Sequence, residues 1–469
     1  MKRTKQIWVC VLAWLFGLGL ATQFATGFSQ LFWVWLAVSS VIILYFVKSW
    51  VGYIALCAIF LCAGLLRGQM TFVPPGKTDA RSYIGQKHQL IGVVQGTPFW
   101  NDDKLYEFYM QDVRLDGQKI SGLVKVKTLS SGIFEGQTAR VQGKLGRALG
   151  RANAQVWYAE VATVNAVPSL PVRIKRTMQQ GLERSLSPAA ASFASGLLFG
   201  GSSQLPDDVR QATQQTGLTH IVAVSGFNLT IIMALVLTFL RGKLRVRTVI
   251  PILALVGFYV LMTGATSSVM RAAVMTTLVL IVGTQNKKLS VGVALAATIF
   301  AMTAWSPAFL YADLSWQLSV LALAGVVFLA PVFMPKNPGK FQLFWEIFAV
   351  SLAAHLATAP LIAHVFGSFS TIAPLANVVI LPFIPAAMLV SFLVAAFSVL
   401  ALPFSGGIAF VANWFLLSIL QTIQVLARIP NASMSIAMSS FTMWASFAGL
   451  GVFMLFGARR ASKKSLQQV

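Results

Sequence analysis

The strongest constraint on this chain is a succession of apolar runs long enough to cross a bilayer, broken once by a long polar stretch. Residues 7–28, 31–47 and 51–66 contain no charged side chain. A helix of about 20 such residues spans the roughly 30 Å hydrocarbon core, and backbone in lipid must satisfy its own hydrogen bonds. Composition agrees: 57% hydrophobic, 10% charged, mean hydropathy +0.74. The fold class expected is an α-helical polytopic membrane protein. Its first run follows Lys2, Arg3 and Lys5, as a signal peptide's does, but it is longer than a signal's apolar segment, and two more runs follow. Those three residues, with Lys48 between the second and third runs, place the N-terminus in the cytoplasm, so three crossings carry Arg67 outward.

Residues 67–168 read as a different domain. Apolar runs vanish, and turn residues recur at Gly76, Gly85, Gly96-Thr97-Pro98, Asp116-Gly117, Gly132 and Gly150. Between them lie strand-like segments at 88–95, 104–115, 120–128, 138–145 and 155–164. Five short strands suit a small inserted β-barrel of the OB type, on the extracytoplasmic side. Alternation puts Lys125 and Lys127 on one strand face and Arg140, Gln142 and Lys144 on another, with Arg147 and Arg151 in the loop beyond. These basic residues are candidates for binding DNA, the alternative being an ordinary solvated face. Trp100, Tyr106 and Trp157 offer stacking surfaces or barrel packing. The formal net charge of +23 invites a polyanionic partner, nucleic acid or acidic lipid. Gly76-Lys77-Thr78 imitates the end of a phosphate-binding loop, but Pro74-Pro75 and the lack of a following helix argue for a linker.

Residues 169–216 form a connector. Ile174, Met178 and Leu182 recur every fourth position with Arg173, Arg176 and Arg184 on other faces, the pattern of a helix lying on the membrane surface or packing on the barrel. Residues 217–460 form the main membrane domain and 461–469 a basic tail. Basic clusters follow alternate runs, at 241–247, 287–288, 336–340 and 459–464, and all fall inside if Gly217 starts outside. The total comes to about ten to twelve crossings. The region 372–404, with Pro374, Pro382 and Pro385, is expected to be re-entrant or broken.

Residues 217–228, Gly-Leu-Thr-His-Ile-Val-Ala-Val-Ser-Gly-Phe-Asn, open an apolar run that continues to Leu240. Such a run begins with polar atoms that must find partners within the protein or line a wet cavity. The segment resembles a signature of the ComEC-type competence proteins, the inner-membrane channels of bacterial DNA uptake. Three later stretches resemble that family in the same order. They start at Ser268-Val269-Met270-Arg271, at Asp313-Leu314-Ser315-Trp316-Gln317-Leu318-Ser319, and at Ala357-Thr358-Ala359-Pro360, the last continuing through Phe366-Gly367 to Asn377 and Pro382. The resemblance covers most of residues 170–390 and also implies an OB-like outer domain. Asn228 stands where the family usually has a second histidine. The metallo-hydrolase domain of many members, with its His-x-His-x-Asp-His cluster, is expected to be lacking. Cys10, Cys57 and Cys62 all lie in apolar runs, so no disulfide framework is expected.

What the resemblance implies is a channel for single-stranded DNA rather than an enzyme. Its gate or lining would be His220, Ser225, Gly226, Asn228, Ser268, Arg271, Asp313, Gln317, Ser319 and Asn377. Hydrogen-bonding side chains of this kind line a hydrated path without trapping a polyanion. An ion pair between Arg271 and Asp313 is the plain structural alternative. No catalytic residue, metal set or cofactor is expected. A protease reading of Ser225-Gly226 needs a histidine base within reach, and His355 and His364 have no acidic partner in register for a metal. The expected partners are single-stranded DNA, membrane lipid, and a separate receptor, nuclease and cytoplasmic motor or strand-binding protein. A transporter for an anionic lipid-linked or small substrate is the second reading.

Overall fold

The computed structural model describes residues 2–21, 50–71, 79–100, 105–120, 122–130, 133–147, 154–164, 169–200, 205–222, 226–239, 246–285, 289–335, 339–400, 405–436 and 438–465. The expected second run (31–47), the loop-like Gly76-Lys77-Thr78, Ser225 and Arg151 lie outside them.

Helices α1 (Lys2–Ala21) and α2 (Trp50–Thr71) run side by side. Gly17 faces the Leu61 carbonyl and Gly64 the Trp14 carbonyl, so the missing side chains let the backbones touch. At the far end of α2, Arg67 Nε donates to the Ala304 carbonyl at 2.8 Å, tying this pair to the main helical domain.

Alternation then builds a closed barrel. Its strands are β1 (Lys87–Trp100), β2 (Tyr106–Leu115), the two-residue β3 (Gln118–Lys119), β4 (Val124–Thr128), β5 (Thr138–Arg147), β6 (Ala154–Val156) and β7 (Glu160–Val164). Asp116 and Gly117 both take positive φ, as a tight turn between β2 and β3 requires. The order β1-β2-β4-β6-β5 closes through the β1–β5 pairing. All pairs are antiparallel except β4–β6. The expected segment 155–164 is split at Trp157-Tyr158 into β6 and β7, both paired with β5, so the two act as one bent strand and the barrel has the five-stranded OB-like form. Leu90, Val94, Phe108, Met110, Val124, Val126, Val141 and Leu145 fill its core. Closure leaves only the short strands β3 and β7 with an unpaired edge among the described residues, which suits a small domain beside a membrane.

The connector helix α3 (Leu170–Ser185) packs on the barrel and on the bundle. Lys175 Nζ meets Glu135 of the β4–β5 loop at 2.7 Å, both nearly buried, and the Arg176 guanidinium lies 4.7 Å from the Phe134 ring. At its other end Gly181 faces Ser398. Helix α3 thus touches the barrel at one end and the bundle at the other.

The helical domain continues with α4 (Pro188–Phe199), α5 (Asp207–Gln215), α6 (Thr219–Val222), α7 (Gly226–Phe239), α8 (Val246–Met262), α9 (Ser267–Gly283), α10 (Val291–Trp305), α11 (Ala308–Ala312), α12 (Leu314–Phe328), α13 (Ala330–Phe333), α14 (Gln342–Phe366), α15 (Ala373–Ile380), α16 (Ile384–Val399), α17 (Ser405–Ala427) and α18 (Ser440–Ser465). Among the described residues, three helical stretches are long and apolar enough to cross a membrane: Gly339–Phe366, Ala373–Val399 and Gly406–Ala427. Shorter apolar helices accompany them. Phe410, Trp414, Phe441 and Trp444 are each more than 60% exposed, a pattern that water would penalise and lipid accepts. This is a helical membrane protein with a small barrel domain.

Candidate functional site

The run opened by Gly217 starts on a turn rather than in helix: Gly217 has φ +71°, and α6 begins only at Thr219. A side chain at Gly217 would strike Ala373 Cβ, 2.6 Å from the ideal Cβ position, so glycine is needed there twice over: for the backbone angle and for the approach of α15.

A second departure from helix lies opposite. After α14 ends at Gly367, strand β8 (Ser368–Ser370) doubles back along that helix and pairs antiparallel with β9 (Ser433–Ser435). His355, about three turns before the helix end, donates from Nε2 to the Ser370 carbonyl at 2.7 Å. Asn377 Nδ2 donates to Ser351 Oγ at 2.6 Å, about a turn deeper along α14. Thr371 Oγ1 donates to the Asn431 carbonyl. The two strands satisfy each other's backbone, which is how non-helical chain survives within a helical membrane domain. The region 372–404 is also broken, by a 3-10 turn at Leu381–Phe383 between α15 and α16.

The predicted residues fall into distinct groups. Asp313 caps α12 by accepting from the Trp316 amide at 3.0 Å, and its same oxygen accepts from Ser267 Oγ at 2.8 Å. Ser268 Oγ and Ser315 Oγ are 2.9 Å apart. Gln317 donates to the Leu310 carbonyl, and Ser319 is half-buried on the same helix. These contacts bring the second and third motifs together at the facing ends of α9 and α12. Arg271, one turn into α9, is 8% exposed and lies against Gly226: a Cβ there would sit 2.8 Å from an Arg271 terminal nitrogen. The first motif therefore meets the second.

His220 is exposed, with Nδ1 3.0 Å from the Gly217 carbonyl. Asn228 is fully buried and donates to the Leu197 carbonyl at 2.9 Å, while Tyr259 OH donates to the Leu198 carbonyl. Together they hold the last turn of α4. No ion pair joins Arg271 to Asp313 among the described residues; the carboxylate caps a helix and binds a serine. No group of three potential metal ligands occurs among those residues either.

On the barrel, Arg140, Gln142, Lys144 and Arg147 are exposed along β5. Lys125 and Lys127 share one face of β4, as alternation requires, but Lys125 is half-buried and Lys127 buried rather than open to solvent. Lys125 Nζ lies 2.6 Å from Glu107 Oε1 and Lys127 Nζ 3.9 Å from Glu107 Oε2. Lys127 also sits 3.9 Å from the Trp157 ring. Glu107 is itself buried, so this face carries much of its own counter-charge. The register adds a cation that the sequence reading missed: Lys87, exposed on β1, directly faces Lys144. Lys87 lies one residue ahead of the segment read as a strand, and only the β1–β5 pairing reveals it.

The sequence model of the competence protein family matches residues 197–463, more than half of the chain. This chain belongs to the competence protein family. The match takes in all four motif stretches and excludes the barrel. The chain is also similar to ComE operon protein 3 of Bacillus subtilis (strain 168), 28% identical over 200 residues, or 42% of this chain and 25% of that protein. The chain thus matches about a quarter of that relative's length. No solved structure matches it. Relative to the family's usual second histidine, Asn228 is a substitution by a side chain that still donates a hydrogen bond, here to α4.

Proposed function

We propose that this protein admits single-stranded DNA across the bacterial cytoplasmic membrane in natural transformation, gathering it outside with the barrel. The observation that carries the reading is the pairing, in one polypeptide, of the competence family's helical domain with a closed OB-like barrel whose β5 turns Arg140, Lys144 and Arg147 to solvent. Basic barrel strands suit a backbone-tracking, sequence-tolerant grip on single strands. The buried Lys175–Glu135 pair supports a barrel held in fixed relation to the bundle.

Within the bundle, the path runs past Gly226, Ser268, Arg271, Ser315 and His220. Asp313, Gln317 and Asn377 shape that wall through the bonds they make, and Asn228 holds α4 behind it. The termini are cytoplasmic and the barrel is outside. A membrane potential negative inside opposes each entering phosphate by about 2.3 kcal/mol per 100 mV. A separate cytoplasmic motor or strand-binding protein therefore draws the strand in, and a receptor and nuclease act before it.

Uptake of labelled DNA in a deletion strain tests the function. Entry is expected to stop while surface binding persists; unchanged entry would sink the reading.

A further inference from the structure

Away from the four motifs, a polar cleft lies between α5 and the end of α17. Asp208, Gln211, Ala212 and Gln215 line it from α5, at the three- and four-residue spacing that puts them on one helix face. Gln424, Ala427 and Arg428 line the other side, at the same spacing through the last turn of α17 and the residue just beyond it. Alanine at 212 and 427, among longer side chains, leaves room. The cleft holds about 310 Å³, the low end of the range for small-ligand sites, about 300–1,000 Å³.

One hydrogen bond crosses it, from Gln424 Nε2 to Asp208 Oδ2 at 2.7 Å. The Gln211 and Gln215 carboxamides and the Arg428 guanidinium have no hydrogen-bond partner among the described residues. The charges of Asp208 and Arg428 offset each other, so the cleft is not an anion trap. What it offers is a row of carboxamides. Each presents a donor and an acceptor side by side in one plane, and this pattern pairs bidentately with the edge of a nucleobase. A carboxamide can turn about its last bond and present the two in either order, so such a row accepts bases of different pattern.

We infer that this cleft takes one nucleobase at a time, edge-on to Gln211, Gln215 and Gln424. The inference rests on the proposed conduit for the strand that supplies the base. Both walls lead into the non-helical region of the bundle. Gln215 stands two residues before Gly217, and Arg428 three before Asn431, whose carbonyl accepts from Thr371. A base held here by neutral hydrogen bonds is retained weakly and in no fixed sequence, as passage of a strand requires.

The test uses the full chain in a neutral polyoxyethylene detergent and a thymidine trinucleotide whose central base is photoreactive 4-thiothymine. Adducts formed on irradiation are mapped by mass spectrometry, which separates the cleft (207–216 and 421–430) from the barrel. Adducts in the cleft are expected. Unmodified trinucleotides of any base should compete with them, and an abasic trinucleotide should not. Gln211→Met with Gln215→Met keeps the side-chain lengths and removes the donors and acceptors. It should lower cleft adducts by about tenfold, the scale of losing two neutral hydrogen bonds, and leave barrel adducts unchanged. Gln424→Met should also lower them and decides the matter if the double variant does not fold. Competition by free thymidine as strong as by the trinucleotide upholds the base site with a nucleoside as its source. Absence of cleft adducts, equal competition by the abasic compound, or undiminished adducts in the variants would overturn it. The two readings fail separately: carboxamide-dependent adducts with unchanged DNA uptake in the deletion strain keep the site and sink the conduit, and lost uptake without cleft adducts does the reverse.

Discussion

At the scale of single residues, the site depends on side chains whose partners are far away in sequence. Gly226→Leu would push into Arg271 and Ala272. It is expected to abolish DNA entry while the protein stays inserted and the barrel still binds DNA. Ser225→Ala should reduce entry only modestly, because one hydroxyl among several is lost. A silent Gly226→Leu beside an inactive Ser225→Ala, measured as uptake per inserted molecule, would instead revive a nucleophile. Asn228→Ala leaves the Leu197 carbonyl without its donor, a loss of about 1–3 kcal/mol. It should lower the melting temperature in detergent, and Asn228→His should restore much of it, since imidazole also donates.

Elements bring a different set of forces. Helix α3 works as a strut because one end meets the barrel and the other the bundle. Breaking its buried pair by Lys175→Met strands the Glu135 carboxylate, a change on the scale of 3–5 kcal/mol, so about that much destabilisation is expected. The double change Lys175→Met with Glu135→Leu should recover most of it. A double variant as unstable as the single one would show that the strut does not depend on this pair. On the barrel, β5 and its neighbour β1 offer cations with no ion-pair partner among the described residues, whereas Glu107 partly neutralises Lys125 and Lys127. The barrel has its own closed ladder and core, so residues 67–168 are expected to fold alone. Its affinity for single strands should fall with salt, and changing Lys87, Arg140 and Lys144 to Ala should reduce the salt slope by about 0.7 per residue. Changing Lys125 and Lys127 should reduce it less. Equal effects of the two sets would show that Glu107 yields to DNA.

The Asp116 carboxyl at the β2–β3 turn is held below its ordinary range, chiefly by the hydrogen bond from His88 and also by the Gln89 amide. A depressed carboxyl contributes stability above its unfolded pKa and loses it as pH falls through the folded one. Asp116→Asn should therefore remove a small part of the barrel's acid sensitivity, seen as a shallower fall in melting temperature with acid.

For the whole molecule the question is orientation. A cysteine introduced near Lys125 should react with an impermeant thiol reagent in intact cells, and one near Lys243 only after the cells are opened. Reversed labelling would place the barrel inside and end the gathering model. Arg67 joining α2 to the end of α10 supports one shared outer level for the chain entering the barrel and the loop before Asp313.

Much of this was legible in the sequence because it rests on near neighbours. Uncharged runs pointed to membrane helices, and alternation grouped Lys125 with Lys127 and Arg140 with Gln142 and Lys144 on shared strand faces, as the structure does. Asp116-Gly117 announced a turn whose two positive φ angles the structure contains. Even the proline-rich interruption after residue 372 was visible, since proline removes backbone donors locally. What the sequence alone could not decide was partnership. Ser267 and Asp313 lie 46 positions apart, Thr371 and Asn431 60. Lys87 faces Lys144 only through strand register, and Glu107 reaches both lysines of β4 only through β2–β4 pairing. Local periodicity fixes which way a side chain points, but which distant group meets it is chosen by packing. Whether a buried charge meets a counter-charge, as Lys175 meets Glu135, was therefore decided only in the tertiary structure.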